Sequence, residues 1–170
     1  SDAHECAEIP LVAANVSRVI PARQSQIWAV LRENDDPSRT IYSLCAAMMG
    51  RICLSGDVLN MPESKVRLVQ DGLAFYQKVK HIVRDGDIRL IDCNVEYYRE
   101  PVGRQIYVKD FGDERLIIIH RLIADAKIEI EMEGYRLVDC YTDLRYEVRD
   151  GMLLIDDVTD YKAGAFLLKK

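Results

Sequence analysis

The residues of this chain that could do chemistry are few, and they cluster where apolar segments end. Ser1 and Asp2 stand directly ahead of a helical stretch, with His4, Glu5 and Glu8 close behind. A carboxylate at a strand-to-helix junction can give or take a proton, and in α/β barrels that face carries the catalysis. The plainer alternative for Asp2 is an N-cap, in keeping with acidic residues in a first helical turn. Ser55-Gly56-Asp57 follows the apolar run Ile52-Cys53-Leu54 without a break, so it would share that face as a ligand contact or as a helix-entry turn capped by Asp57. Trp28 lies within Gln26-Ile27-Trp28-Ala29-Val30-Leu31 and reads as a packed core side chain or as a platform for a sugar ring.

Other candidates are more ordinary. His4, His81 and His120 lack the spacing of metal ligands, and His81 suits the last turns of a helix, where the dipole favours a cation. Arg18 and Arg23 flank Pro21 and read as surface groups or as the lining of an anionic or hydroxyl-rich pocket. Asp156-Asp157 reads as a solvated loop. The chain has no phosphate loop, nucleophile elbow or dinucleotide fingerprint, so no cofactor or metal is expected.

To position such groups the chain has 170 residues, 49% of them apolar and 30% charged, enough for one good core or two small ones sharing an interface. A net charge of -5 argues against a nucleic-acid partner, since phosphate neutralisation needs a basic surface. Five widely spaced cysteines (Cys6, Cys45, Cys53, Cys93, Cys140) contain no CxxC pair and suggest reduced, mostly buried thiols. No signal peptide or membrane-length apolar run is visible, and a cytoplasmic location is expected.

Up to Gly86 helical periods alternate with short apolar strands. A helix over about 5–18 would bury Leu11, Val12, Val16 and Val19 and stop before Pro21. The runs Gln26–Leu31 and Ile52–Leu54 look like strands covered on both faces. Pro37 and Ser38 open a helix to Gly50, and Pro62 and Glu63 open the longest one, to about Arg84. Val66, Val69, Leu73, Tyr76, Val79 and Val83 keep its apolar spacing. Helix, strand, helix, strand, helix is crossover architecture with parallel strands.

After Gly86 strands and tight turns take over: Gln105–Lys109 and Arg115–Arg121 around Gly112-Asp113, Lys127–Glu133 alternating, Tyr135–Cys140, and Arg145–Val148 with Met152–Ile155 around Asp150-Gly151, a strong hairpin signal. Ala163–Leu168 closes the series. The expected fold is therefore α/β plus all-β, with residues 1–86 crossover-built and residues 87–170 an antiparallel β-sandwich joined through Gly86–Asp92.

In this order the pieces resemble the C-terminal portion of the α-galactosidase-like enzymes, family 36 of the glycoside hydrolases. Ser1-Asp2 is similar to the family's loop after its sixth barrel strand, Ile9–Trp28 to its sixth helix and seventh strand, and Met49–Asp57 to its eighth strand and active-site turn. The strand half resembles the β-domain that this family shares with the α-amylase-like enzymes. The resemblance implies the C-terminal segment of a (β/α)8 barrel followed by a β-sandwich, from a retaining hydrolase acting on α-galactoside oligosaccharides. It implies Asp2 as acid/base, and Ser55, Gly56, Asp57 and Trp28 as substrate contacts. Glu5 and Ile9 depart from the family's second acid and arginine, so the substrate contacts and the exact sugar stay open.

The family's nucleophile, an Asp on the fourth strand, would lie upstream of Ser1. The 170-residue chain alone is therefore expected to be inactive. The alternative is a free-standing, non-catalytic sandwich that binds carbohydrate or another subunit. The absence of an initial Met leans toward the first reading. Unpaired edges on the two parallel strands predict self-association, with a homo-oligomer as the expected state.

Overall fold

A computed structural model describes residues 6–93, 101–123 and 126–170. After a short 3-10 turn at Cys6–Glu8 come helix α1 (Ile9–Val16), strand β1 (Gln26–Leu31), helix α2 (Pro37–Ala47), strand β2 (Arg51–Gly56), a 3-10 turn at Val58–Asn60 and helix α3 (Glu63–Asp85). Eight strands follow: β3 (Asp87–Cys93), β4 (Arg104–Phe111), β5 (Glu114–Arg121), β6 (Ile128–Glu131), β7 (Arg136–Thr142), β8 (Tyr146–Arg149), β9 (Met152–Ile155) and β10 (Ala163–Lys169).

Helix α2 explains how the layers join. Pro37 sits in its first turn, where a missing N–H costs nothing, and the Asp36 side chain accepts from the Arg39 N–H at 2.9 Å. Every residue from Thr40 to Ala47 is buried, as expected of a helix enclosed on all sides. One side packs on Ile27, Ala29 and Leu31 of β1, the other on Leu116, Ile118 and Ala165 of the large sheet. Gly72 of α3 permits close approach: a Cβ there would lie 2.9 Å from the Tyr141 ring and 3.1 Å from Leu44.

β1 and β2 pair in parallel, with Ile27 opposite Ile52 and Leu31 opposite Gly56. The other strands form an antiparallel five-stranded sheet, β3-β4-β5-β10-β7, and a three-stranded one, β6-β9-β8. Ile106, Val108, Ile117, Ile119, Phe166 and Leu168 of the large sheet meet Ile128, Ile130, Leu153 and Ile155 of the small one in a second core. Alternate residues Tyr107, Leu116, Ile118, Ala165 and Leu167 join the core beneath the helices. With both faces covered, β10 is apolar almost throughout and β4 and β5 carry unbroken apolar centres, Ile106–Val108 and Leu116–Ile119; β6, covered on one side, alternates buried Ile with exposed Glu. The hairpin at Asp150-Gly151 has φ of 53° and 75°, the left-handed pair that a two-residue turn of this kind requires.

Several expectations need correction. α1 ends at Val16, because the shorter turn bonds Arg18 N to Asn15 O (3.2 Å) and Val19 N to Val16 O (3.0 Å) take over; Val19 is exposed. Residues 87–92 are not a connecting loop but most of β3, an edge strand whose charged Asp87 and Arg89 suit an exposed sheet margin. Gly86 ends α3 with an ordinary φ of -71°. It is required because a Cβ would approach Ile82 O at 2.6 Å and Asp110 O at 2.9 Å. Of the thiols whose burial is described, Cys45 is buried, whereas Cys6, Cys53 and Cys140 are partly exposed. Asp157 is buried rather than solvated: Thr159 N (3.0 Å) and Lys162 Nζ (3.0 Å) donate to it. Burial opposes its ionisation, but these bonds prevail and hold the carboxyl well below the usual carboxylate range.

Candidate functional site

The C-terminal ends of β1 and β2 lie side by side and share one backbone device. Gly56 has a φ of 97°, and a Cβ there would fall 2.0 Å from Leu31 O. Only glycine fits this position. The next amide, Asp57 N, donates to that same Leu31 O at 2.8 Å. Asp57 is thus fixed at the strand end with its side chain exposed. It precedes the Val58–Asn60 turn without capping it, so the capping alternative is not what the structure shows.

Ile27, Ala29 and Leu31 point to the helices and are buried, so Trp28 and Val30 point the other way. The register sets Cys53 beside Trp28 and Ser55 beside Val30 on that same face. Trp28 is 46% exposed and is not a packed core residue. Continuous apolar content in β1 does not mean complete coverage on both faces here: Cys6 and Ile9 border the Trp28 side and leave the residue partly open to solvent.

The loop after β1 is held rigidly. Asp35 accepts from Arg32 N (3.1 Å) and pairs with Arg39 (3.2 Å). Lys65, buried to 7% exposure, donates its ammonium to Glu33 O at 2.5 Å and Arg32 O at 3.4 Å. A cation thereby caps carbonyls at the end of β1. Sequence reasoning passed over Lys65, although it lies on the stripe that continues through Val69, Gly72, Phe75 and Val79; that spacing was the available signal.

Asp2, His4 and Glu5 lie outside the described residues. Of the other candidates, His81 Nε2 meets Glu114 at 2.6 Å, and His120 is completely buried, its Nε2 3.3 Å from Tyr42 O. Burial lowers the pKa of His120 to about 3, keeping it neutral. Asp156 pairs with Lys127 at 2.9 Å. Arg23 lines a cavity at the opposite end of the strand pair, and Arg18 does not. Chemically, the C-terminal ends offer the Ser55 hydroxyl and the Asp57 carboxylate, and the Trp28 indole lies further back on the same pair, opposite Cys53. Among the described residues no group of three His, Cys, Asp or Glu side chains could hold a metal ion.

No protein-family model and no curated protein matches the sequence. Solved structures do. An α-galactosidase from Geobacillus stearothermophilus, in complex with raffinose, is 18% identical, with a TM-score of 0.74 over 99% of this chain and 25% of its own. An α-galactosidase from Lactobacillus brevis is 15% identical, with a TM-score of 0.73 over the same shares. The fold is that of the C-terminal portion of a family 36 α-galactosidase. The chain spans about a quarter of the length of those enzymes. An α-amylase from H. orenii matches less closely, with a TM-score of 0.53, 10% identity and 48% of its chain covered. The α-galactosidase fold thus accounts for the crossover part and the sandwich together.

Proposed function

We propose that the chain is the C-terminal part of a retaining glycoside hydrolase that cleaves terminal α-galactosides. Residues 1–86 would complete a (β/α)8 barrel and residues 87–170 would form its C-terminal β-domain. The observation that carries this reading is the partly exposed outer face of the parallel pair, which holds Trp28 and Ser55, with Asp57 at its C-terminal end. The α-galactosidase fold supports it along the whole chain. Asp2 is the acid/base carboxylate in this reading; Trp28, Ser55, Gly56 and Asp57 contact the sugar.

Two carboxylates about 5–5.5 Å apart are needed for retention. The acid must keep its proton near neutral pH, which requires desolvation or a neighbouring negative charge. Both requirements are met only when upstream strands close over the Trp28 face. The 170-residue chain alone is accordingly inactive, and its open strand edges associate with a second copy. The test joins the chain to the preceding part of such an enzyme and follows a nitrophenyl α-galactoside. Asp2→Asn should cut turnover roughly 10²–10⁴-fold. Full activity of that variant would remove Asp2 from the mechanism, and turnover by the 170-residue chain alone would overturn the incomplete-site reading.

A further inference from the structure

A second concave site lies at the other end of the strand pair. Arg51 opens β2, Ala22 and Arg23 precede β1, and the last turns of α3 close the third side. Together they border an open cleft of about 330 Å³, within the size range of small-ligand sites. Its floor is Tyr76 with Ala22, Gly50 and Val83; its rim is Arg23, Arg51, Lys80, His81 and Arg84.

The floor is built, not accidental. The Tyr76 hydroxyl donates to Gly50 O at 2.8 Å, fixing the ring. A Cβ on Gly50 would fall 2.8 Å from Ser25 O and 2.9 Å from Ile27 Cγ1, so that position must stay without a side chain for the strands to close.

The rim runs against the chain's net charge of -5. Helix-dipole preference explains cations near the end of α3, but not Arg23 and Arg51, which come from other segments. Two carboxylates face the group. Asp85 bonds Arg84 at 2.6 Å and also feels Arg23; Glu114 holds His81 at 2.6 Å. Lys80 bonds the neutral Gln77 amide at 2.6 Å. Among the described residues neither Arg23 nor Arg51 makes an ion pair. Three cations from three segments therefore border one cavity without a bonded carboxylate of their own. Planar guanidinium groups match phosphate oxygens, and the apolar floor accepts a carbon skeleton.

We propose that this cavity binds a small phosphate monoester, the phosphate held by Arg23, Arg51 and Lys80 and the organic part resting on Tyr76 and Val83. The cavity and its cations stand apart from the glycosidase reading, which supplies only the choice of galactose as the organic part of the probe. Calorimetric titration of the 170-residue chain tests it, with inorganic phosphate, galactose 1-phosphate and galactose as probes. Galactose 1-phosphate should bind saturably, at least ~10-fold tighter than either inorganic phosphate or galactose, and more weakly as salt rises. Arg23→Glu and Arg51→Glu, both at exposed positions, should each weaken it ~10-fold or more, while Arg149→Glu on the distant β8 should not. Absence of saturable binding, preference for bare phosphate, or equal binding by the two reversal variants would overturn the proposal.

Discussion

The five-stranded sheet and the two-stranded parallel pair are both rich in apolar residues, yet they live in different surroundings. β4, β5 and β10 are covered on one face by helices and on the other by the small sheet. Among the described residues β1 and β2 are buried on the helix-facing side, while Trp28 on the other side stays 46% exposed. Apolar content therefore records the environment a strand is built for. In the sandwich that environment is complete among the described residues; at the strand pair it is only partial.

The sharpest way to break this contrast is to remove side chains from each region. Ile119, fully buried between the sheets, should cost about 4 kcal/mol when changed to Ala, read from the urea midpoint. A loss below about 1.5 kcal/mol would show that the second core is looser than its burial implies. Gly56→Ala should cost about 2–3 kcal/mol, since it adds both backbone strain and a clash with Leu31 O. Hydrogen exchange should report faster opening of β1 and β2 than of β5 and β10, and uniform acceleration would argue against separate local stability.

The seam between helices and sheet has its own signature in acid. His120 titrates near 3 in the fold, below its ordinary value of 6.5, because it is buried. The folded state therefore binds fewer protons than the unfolded chain in that window. The contribution is fully present above pH 6.5 and is lost as pH falls toward 3. Its slope should be about 1.4 kcal/mol per pH unit, and His120→Asn should flatten the stability profile there. An unchanged profile would mean that His120 finds a compensating partner. Trp28→Ala should cost about 2 kcal/mol in this chain, less than a fully buried Trp would, because the residue is already 46% exposed. A larger loss would show that self-association already covers that face.

Much of the fold was legible in the sequence because its signals are local. The spacing of Val69, Val79 and Val83 announced α3, and Asp150-Gly151 announced the β8–β9 hairpin. What escaped depends on neighbours distant in sequence. Asp87 and Arg89 disguise β3 as a loop, since nothing local tells an edge strand from a connector. Asp157 reads as solvated until Lys162 and Thr159 are brought to it. The position of Asp57 was readable from its place after an apolar run. Lys65 was readable as a buried position from its helical spacing but not as a cation on the β1 carbonyls. The convergence of Arg23, Arg51 and Lys80 was not readable, because three separate segments had to meet first.

Helix α2, enclosed on every side, has a practical consequence for protein engineering. It is a shared wall: the floor of the parallel pair and the ceiling of the large sheet are opposite sides of the same buried run, Thr40–Ala47. A chimaera cut at Gly86 would exchange one side of that wall and leave the other unmatched. The transplantable module therefore begins no later than Pro37, and an enzyme that borrowed the sandwich alone would inherit a seam with no mate.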